Sequence, residues 1–227
     1  MIVTIDGPAG AGKSTVAKAL ARRLGFRYLD TGAMYRAVAL AGMRRQLDWS
    51  RPAALAELAR EVRVEVRGER IFLEGEDVTE TVRTPEVTAV TRFAANNAAV
   101  REHLVALQRA IAGREDIVTE GRDQGSVVFP DAECKVYLTA SAEERARRRV
   151  EDFRAQGKEV PLAEVLADMV RRDESDAARD VGPLTRPRDA VELVTDGLTA
   201  DEVIERLVQI VDSKRLKRQA RDREQNG

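Results

Sequence analysis

Residues 7–15 read Gly7-Pro8-Ala9-Gly10-Ala11-Gly12-Lys13-Ser14-Thr15 and fit the pattern G-x-x-x-x-G-K-[ST] without a mismatch. The pattern maps onto one physical task, which is holding a chain of phosphates. Glycines let the backbone curl so that successive N–H groups point inward at phosphate oxygens. Lys13 supplies a charge for the outer phosphates, and the Ser14 hydroxyl suits a magnesium ion. The flanks agree. Ile2-Val3-Thr4-Ile5 is an apolar, β-branched run expected of a buried parallel strand. Thr15 to Leu24 places Val16, Ala19, Leu20 and Leu24 at helical spacing, with Lys18, Arg22 and Arg23 between them. Strand, glycine loop and helix follow in the required order. The helix begins at the loop, so its positive dipole end faces the anion.

The remaining apolar runs extend this into an α/β domain. Phe26–Leu29, Ile117–Thr119, Lys135–Leu138 and Val191–Val194 are short and mostly separated by helical stretches, which predicts a mainly parallel sheet. Helical patterns run through Ala33–Arg45, Pro85–Ala112, Ala142–Ala155 and Thr199–Leu216. One stretch differs. Val62 to Arg67 alternates apolar and charged residues, Gly68-Glu69-Arg70 turns, Ile71-Phe72-Leu73 resumes, and Glu74 to Val78 turns again. This predicts small antiparallel strands, and residues 48–84 are expected to form an insertion on one edge of the sheet. The core is then expected over 1–47 and 85–211. Residues 212–227 form a charged tail, expected to be a frayed, solvated helix end rather than a basic arm for an acidic partner.

Composition excludes several functions. Lys and Arg (38) balance Asp and Glu (39), so no global basic field marks nucleic acid as a partner. A single cysteine, Cys134, excludes an internal disulfide or a cysteine-based zinc cluster, and its place beside an apolar run predicts a buried side chain. His103 is the sole histidine. No run of about 18 apolar residues could span a membrane. The N-terminal segment reads as a core strand rather than a signal peptide, so an intracellular, cytoplasmic protein is expected. With no long apolar surface stripe, a monomer is expected.

The loop alone leaves the use of the nucleotide open among a switch GTPase, a motor-type ATPase and a small-molecule kinase. The chain has no Asn-Lys-x-Asp base-reading stretch and no Leu-Ser-Gly-Gly signature. Its arginines are more informative. The second strand runs into Leu29-Asp30-Thr31-Gly32-Ala33-Met34-Tyr35-Arg36, where Thr31 is expected to cap the next helix and Arg36 to face the cleft. The third strand runs into Thr119-Glu120-Gly121-Arg122-Asp123-Gln124-Gly125-Ser126. Glu143 to Arg149 is a dense arginine cluster, readable as a solvated face stitched by Glu143–Arg147 and Glu144–Arg148 pairs or as a mobile lid. Arg171, Arg172 and Arg179 follow on a later helical stretch. Several separated arginines suit two phosphate-bearing substrates, because phosphoryl transfer needs positive charge and exclusion of water.

These stretches resemble the bacterial cytidylate kinases, members of the nucleoside monophosphate kinases, over nearly the whole chain up to the tail. The marks are Ile5 to Lys13, Asp30 to Arg36, Leu73 to Val78, Val82 to Val87, Glu120 to Asp123 and Val127-Val128-Phe129-Pro130-Asp131-Ala132. The resemblance implies a P-loop kinase fold: a five-stranded parallel sheet flanked by helices, a small antiparallel insertion, and a helical lid at about residues 142–165. It implies transfer of a phosphoryl group from ATP to CMP or dCMP with Mg²⁺. These are small-molecule substrates, with no nucleic-acid or membrane partner. It puts Gly7, Pro8, Ala9, Gly10, Ala11, Gly12, Lys13, Ser14 and Thr15 around ATP, with Ser14 on the metal. Thr31, Tyr35 and Arg36 sit by the monophosphate, and Arg101, Arg122 and Asp123 approach phosphate and cytosine. Arg172, Asp176 and Arg179 frame sugar and phosphates, and Arg148 and Arg149 join on closure. Lys13, Arg122, Arg148, Arg149, Arg172 and Arg179 are the implied catalytic set. The sequence departs from the family at Arg92, where a small hydroxyl residue often faces the base; here the hydroxyl lies one place earlier, at Thr91. A broader UMP/CMP choice, or a nucleotide-dependent regulatory module, remains the alternative.

Overall fold

A computed structural model describes residues 1–155 and 157–225, with side chains described to residue 220. In chain order the elements are β1 (Ile2–Asp6), α1 (Lys13–Leu24), β2 (Arg27–Asp30), α2 (Thr31–Arg44), α3 (Pro52–Glu61), β3 (Val64–Arg67), β4 (Arg70–Leu73) and β5 (Glu76–Asp77). Then follow α4 (Pro85–Ala95), α5 (Ala98–Ala112), β6 (Ile117–Gly121), β7 (Cys134–Thr139), α6 (Ala142–Ala155), α7 (Leu162–Ala177), β8 (Val191–Val194) and α8 (Ala200–Gln225). The main sheet has five strands in the order β2-β6-β1-β7-β8. The pairs β1–β6, β1–β7 and β7–β8 are parallel.

Strand β1 is the spine because Val3, Thr4 and Ile5 are wholly buried, as a β-branched run between two neighbours should be. Its register sets Asp6 opposite Gly121 on one side and Tyr137 on the other. The carboxyl ends of β1, β6 and β7 therefore align. That edge is where an open α/β sheet receives ligands.

The chain divides into two compact units, residues 1–26 with 116–227, and residues 27–115. In the first, α6 and α7 pack as a hairpin around a small core of Ala146, Val150, Val165 and Met169. The helix α8 buries Val203, Leu207 and Val211 at helical spacing. It runs to Gln225, past Leu216, where the helical pattern stopped, and through the charged tail expected as a helix end. The Arg215 guanidinium lies 4.9 Å from the Phe26 ring centre, and Arg218 pairs with Glu133 at 2.5 Å. These contacts give the charged turns something to hold.

The second unit has an aliphatic, alanine-rich core built on α2, from Met34 and Val38 to Leu55, Leu73, Val82 and Leu104. The antiparallel sheet appears as expected, in the order β3-β4-β5. It is preceded by a helix that the strand pattern hid: α3 begins with Pro52 in its first turn and buries Leu55, Ala56, Leu58 and Ala59. The compact unit is also wider than the 48–84 insertion, because α2, α4 and α5 share its core. The single helical pattern over Pro85–Ala112 is two helices. Asn97 breaks it, its side chain accepting from the Ala99 and Val100 amides at 3.1 and 3.2 Å to cap α5.

Candidate active site

The glycine loop joins β1 to α1 and is shaped by close approach. Gly7 has φ +153°, and a Cβ there would stand 1.9 Å from the Leu138 carbonyl oxygen, so only glycine fits. The helix's own hydrogen-bond ladder begins with the Val16 amide donating to Gly12 at 3.1 Å. The amides just before it belong to the set that a helix cannot satisfy for itself, and they carry its positive end. Lys13 is buried, its ammonium donating to the Pro8 carbonyl at 2.7 Å within the loop. Burial, and then the like charge of Arg122, push that ammonium below its ordinary range, while the Glu120 carboxylate works against them. The Ser14 hydroxyl donates to Glu120 Oε1 at 2.8 Å.

Beyond β6 the chain makes a single π turn, Gln124–Val128, tied to β1 through Asp6. The Gln124 and Gly125 amides donate to Asp6 Oδ1 and Oδ2 at 2.8 and 2.7 Å. The Gln124 side chain accepts from Thr119 at 2.9 Å. Burial raises the Asp6 carboxyl to about 6 despite both amides, and the nearby Asp123 adds to the rise. Asp123 is itself buried at the start of the turn. Arg122 donates through Nε to Asp176 Oδ2 at 2.7 Å, and Arg179 pairs with Asp176 Oδ1. Burial alone would raise the Asp176 carboxyl, but the charges of Arg122 and Arg179 outweigh it and hold it below the usual carboxylate range. Arg172 lies on α7 four residues before Asp176.

In the second unit, Thr31 and Tyr35 are buried one turn apart on α2, with Arg36 beside them. Thr31 is not the cap. Asp30 caps α2, its Oδ1 accepting from the Ala33 amide at 2.9 Å while its Oδ2 pairs with Arg83 at 2.9 Å. A carboxylate serves better there because it can do both at once. Arg101 is buried on α5 with its guanidinium 5.6 Å from the Tyr35 ring centre.

With this geometry in view, likeness to known proteins is decisive. Residues 3–213 match the family model described as Cytidylate kinase. The chain belongs to the cytidylate kinase family. A protein of Rhodopirellula baltica named Cytidylate kinase is 48% identical over 211 residues, covering 93% of this chain and 92% of that one. One of Caldanaerobacter subterraneus with the same name is 47% identical over 209 residues, covering 92% and 93%. Among solved structures, an uncharacterized protein from Eubacterium ventriosum shares the fold, with a TM-score of 0.53 and 14% identity over 94% of this chain and 98% of that one.

In this cytidylate kinase family member the arginine cluster of α6 is divided. Arg148 donates to Glu144 at 3.1 Å and, at 3.0 and 2.6 Å, to the Thr195 hydroxyl and carbonyl. Arg149 pairs with Asp152 at 3.7 Å and covers the Phe153 ring at 4.5 Å. Arg147 pairs with Glu144 at 3.1 Å, and Arg171 is an exposed partner of Asp168. In this arrangement the expected pair, Arg148 and Arg149, therefore points at Thr195 and Phe153, while Arg145 reaches the glycine loop. Sequence reasoning gave no role to Asp6, Glu120 or Arg145. A carboxylate as the last residue of a buried strand was a usable signal for Asp6, and Glu120 stood one residue before the end of its strand. Nothing in the spacing singled out Arg145 among four arginines.

Cys134 is buried, and burial pushes its thiol up to about 12, as befits an inert core residue. Thr91 donates its hydroxyl to Val87 within its own helix at 2.7 Å, and the Arg92 guanidinium lies 4.9 Å from the Phe93 ring centre. Among the described residues no helix is long and apolar enough to cross a membrane.

Proposed function

We propose that this protein transfers the γ-phosphoryl group of ATP to CMP or dCMP, giving ADP and CDP or dCDP. The carrying observation is a buried loop lysine near a half-buried Arg122–Arg179 pair that shares the buried Asp176 carboxylate and keeps a net positive charge. Lys13 and the loop amides hold the outer phosphates of ATP. Arg36, Arg122, Arg172 and Arg179 hold the acceptor phosphate, and Thr31 and Tyr35 lie beside it. At 4 Å two unit charges repel by roughly 4 kcal/mol at an effective dielectric of 20, so fixed guanidiniums offset a cost of that order. Asp123 accepts from the cytosine amino group, Arg101 donates to its O2/N3 edge, and Asp176 accepts from a sugar hydroxyl. No general base is needed, because the acceptor phosphate is already ionised. Transfer is direct and in line, with no covalent enzyme intermediate. Arg148 and Arg149 reach the phosphates only if the α6–α7 hairpin closes as a lid and exchanges Thr195 and Asp152 for them.

The donor set also fits Mg²⁺. Ser14 offers a hard hydroxyl oxygen oriented by Glu120. Among the described residues no group of three or more His, Cys, Asp or Glu could enclose a metal. That suits a cation that keeps several waters and takes the rest of its shell from substrate phosphates. When bound, it neutralises charge on the migrating phosphoryl group.

The test is a coupled assay with ATP and CMP, dCMP, UMP or AMP. Turnover is expected with CMP and dCMP. Tight ATP binding with no turnover of any monophosphate would instead identify a nucleotide-responsive binding module.

A further inference from the structure

Arg145 is buried on α6 and spends its guanidinium on three elements. Nη1 donates to the Ala9 carbonyl at 2.8 Å, Nε donates to the Ala140 carbonyl at 3.0 Å, and Nη2 pairs with Asp173 of α7 at 2.6 Å. The other Asp173 oxygen is buried with no hydrogen-bond partner among the described residues, so this carboxylate serves Arg145. The grip continues at the next residue. A Cβ on Gly10 would lie 2.8 Å from the Met169 methyl carbon and 3.4 Å from Arg145 Cβ. Met169, Asp173 and Asp176 recur at i, i+4 and i+7, which puts them on one face of α7.

A trans peptide is planar, with its C=O and N–H pointing in opposite directions. A guanidinium that holds the Ala9 carbonyl to one side therefore fixes the Gly10 N–H toward the other. Resting on the phosphoryl-transfer reading above, we infer that Arg145 is a positioning residue. It sets the Ala9–Gly10 peptide so that the Gly10 amide is presented to the donor phosphates, and it seats the α6–α7 hairpin on the glycine loop. The rigid fork is what makes this possible. A lysine in its place carries the charge but cannot serve three acceptors along fixed directions.

The test uses the full chain carrying Arg145→Lys and, separately, Asp173→Asn, which leaves Arg145 in place without its charge partner. Thermal melting followed by circular dichroism reports folding. Calorimetric titration with Mg·ATP alone and with CMP alone reports each site, and the Gly10 amide resonance is followed as ATP is added. Losing one charge-assisted hydrogen bond predicts an ATP Kd weakened by about tenfold. The CMP Kd should stay within about twofold, since a change confined to the glycine loop leaves well-separated groups without shared partners to respond independently. The ATP-induced shift of the Gly10 amide should shrink. A folded Arg145→Lys protein that binds ATP as wild type does, or that loses ATP and CMP alike, would overturn the assignment. If that variant does not fold, Asp173→Asn decides by the same criterion, and collapse of both would show a purely structural pin. A wild-type protein that binds ATP but leaves CMP unphosphorylated would sink the proposed function while Arg145 is still judged on ATP binding.

Discussion

The two compact units place polar groups by different means. In the first, residues 1–26 with 116–227, buried and half-buried charges of the glycine-loop region, the strand ends and the α6–α7 hairpin are balanced by one another: Lys13 with Glu120 nearby, Asp176 with Arg122 and Arg179, Arg145 with Asp173. In the second, residues 27–115, the polar groups are buried on helices packed around an aliphatic core: Thr31 and Tyr35 on α2, Arg101 on α5. A network of mutually balanced charges is costly to interrupt, because removing one member strands the rest in a poor solvent. A side chain standing on a packed helix can be trimmed with less damage to what carries it. The first unit should therefore be brittle and the second tolerant.

The most severe break is Gly7→Ala. Its Cβ would meet the Leu138 carbonyl at 1.9 Å, and backbone cannot yield as a side-chain tip can. A stability loss above about 4 kcal/mol is expected in urea denaturation. Gly12→Ala in the same loop is the control. Gly12 has φ +82° but nothing within 4 Å of a Cβ, so the loss should be about 1 kcal/mol.

Asp176→Ala comes next. It leaves Arg122 and Arg179 facing each other with their shared carboxylate gone, and about 2–4 kcal/mol should be lost at pH 7. Asp176 is held below its ordinary range, so its contribution is present above the unfolded carboxyl pKa and is lost as pH falls through the folded one. The gap between wild type and Asp176→Ala should therefore narrow only in strong acid. A gap that closes by pH 5 would contradict the balance described.

Asp6 has the opposite sign. Its folded pKa is raised from 3.8 to about 6, so its contribution is greatest below the unfolded value and is lost as pH rises to about 6. Against Asp6→Asn, wild type should lose on the order of 2–3 kcal/mol of relative stability between pH 4 and pH 7. Urea midpoints of the pair at those two pH values check it, because any misfit of the new amide against the Gly125 N–H is constant with pH.

The smallest effect is expected in the second unit. Asp30→Ala removes the cap of α2 and the partner of Arg83, which stays partly solvated, and about 1 kcal/mol should be lost. A loss as large as that of Asp176→Ala would erase the contrast between the units.

The same contrast explains what could be read in advance. The glycine loop and the strand ends were legible because phosphate binding and parallel pairing impose local patterns, and each predicted strand of the main sheet appears within a residue or two. The second unit was read less well. Alanine-rich α3 lay next to a clear strand alternation that drew attention from it, and Asn97 cut what periodicity alone joined into one helix. Asp30 was passed over as a cap because Thr31 is equally suitable by type; the choice is made by Arg83, far away in sequence. Arg145 differs from Arg147, Arg148 and Arg149 only in which face of α6 it occupies, and that depends on tertiary packing.

We propose a division of labour in which the glycine loop holds ATP and Arg101 of α5 serves the monophosphate. Calorimetric titration of Lys13→Ala and Arg101→Ala with ATP and with CMP, each alone, tests it directly. Lys13→Ala should lose ATP affinity and keep CMP, while Arg101→Ala should lose CMP affinity and keep ATP. If both substitutions weakened the same nucleotide, or each weakened both equally, the division would be wrong.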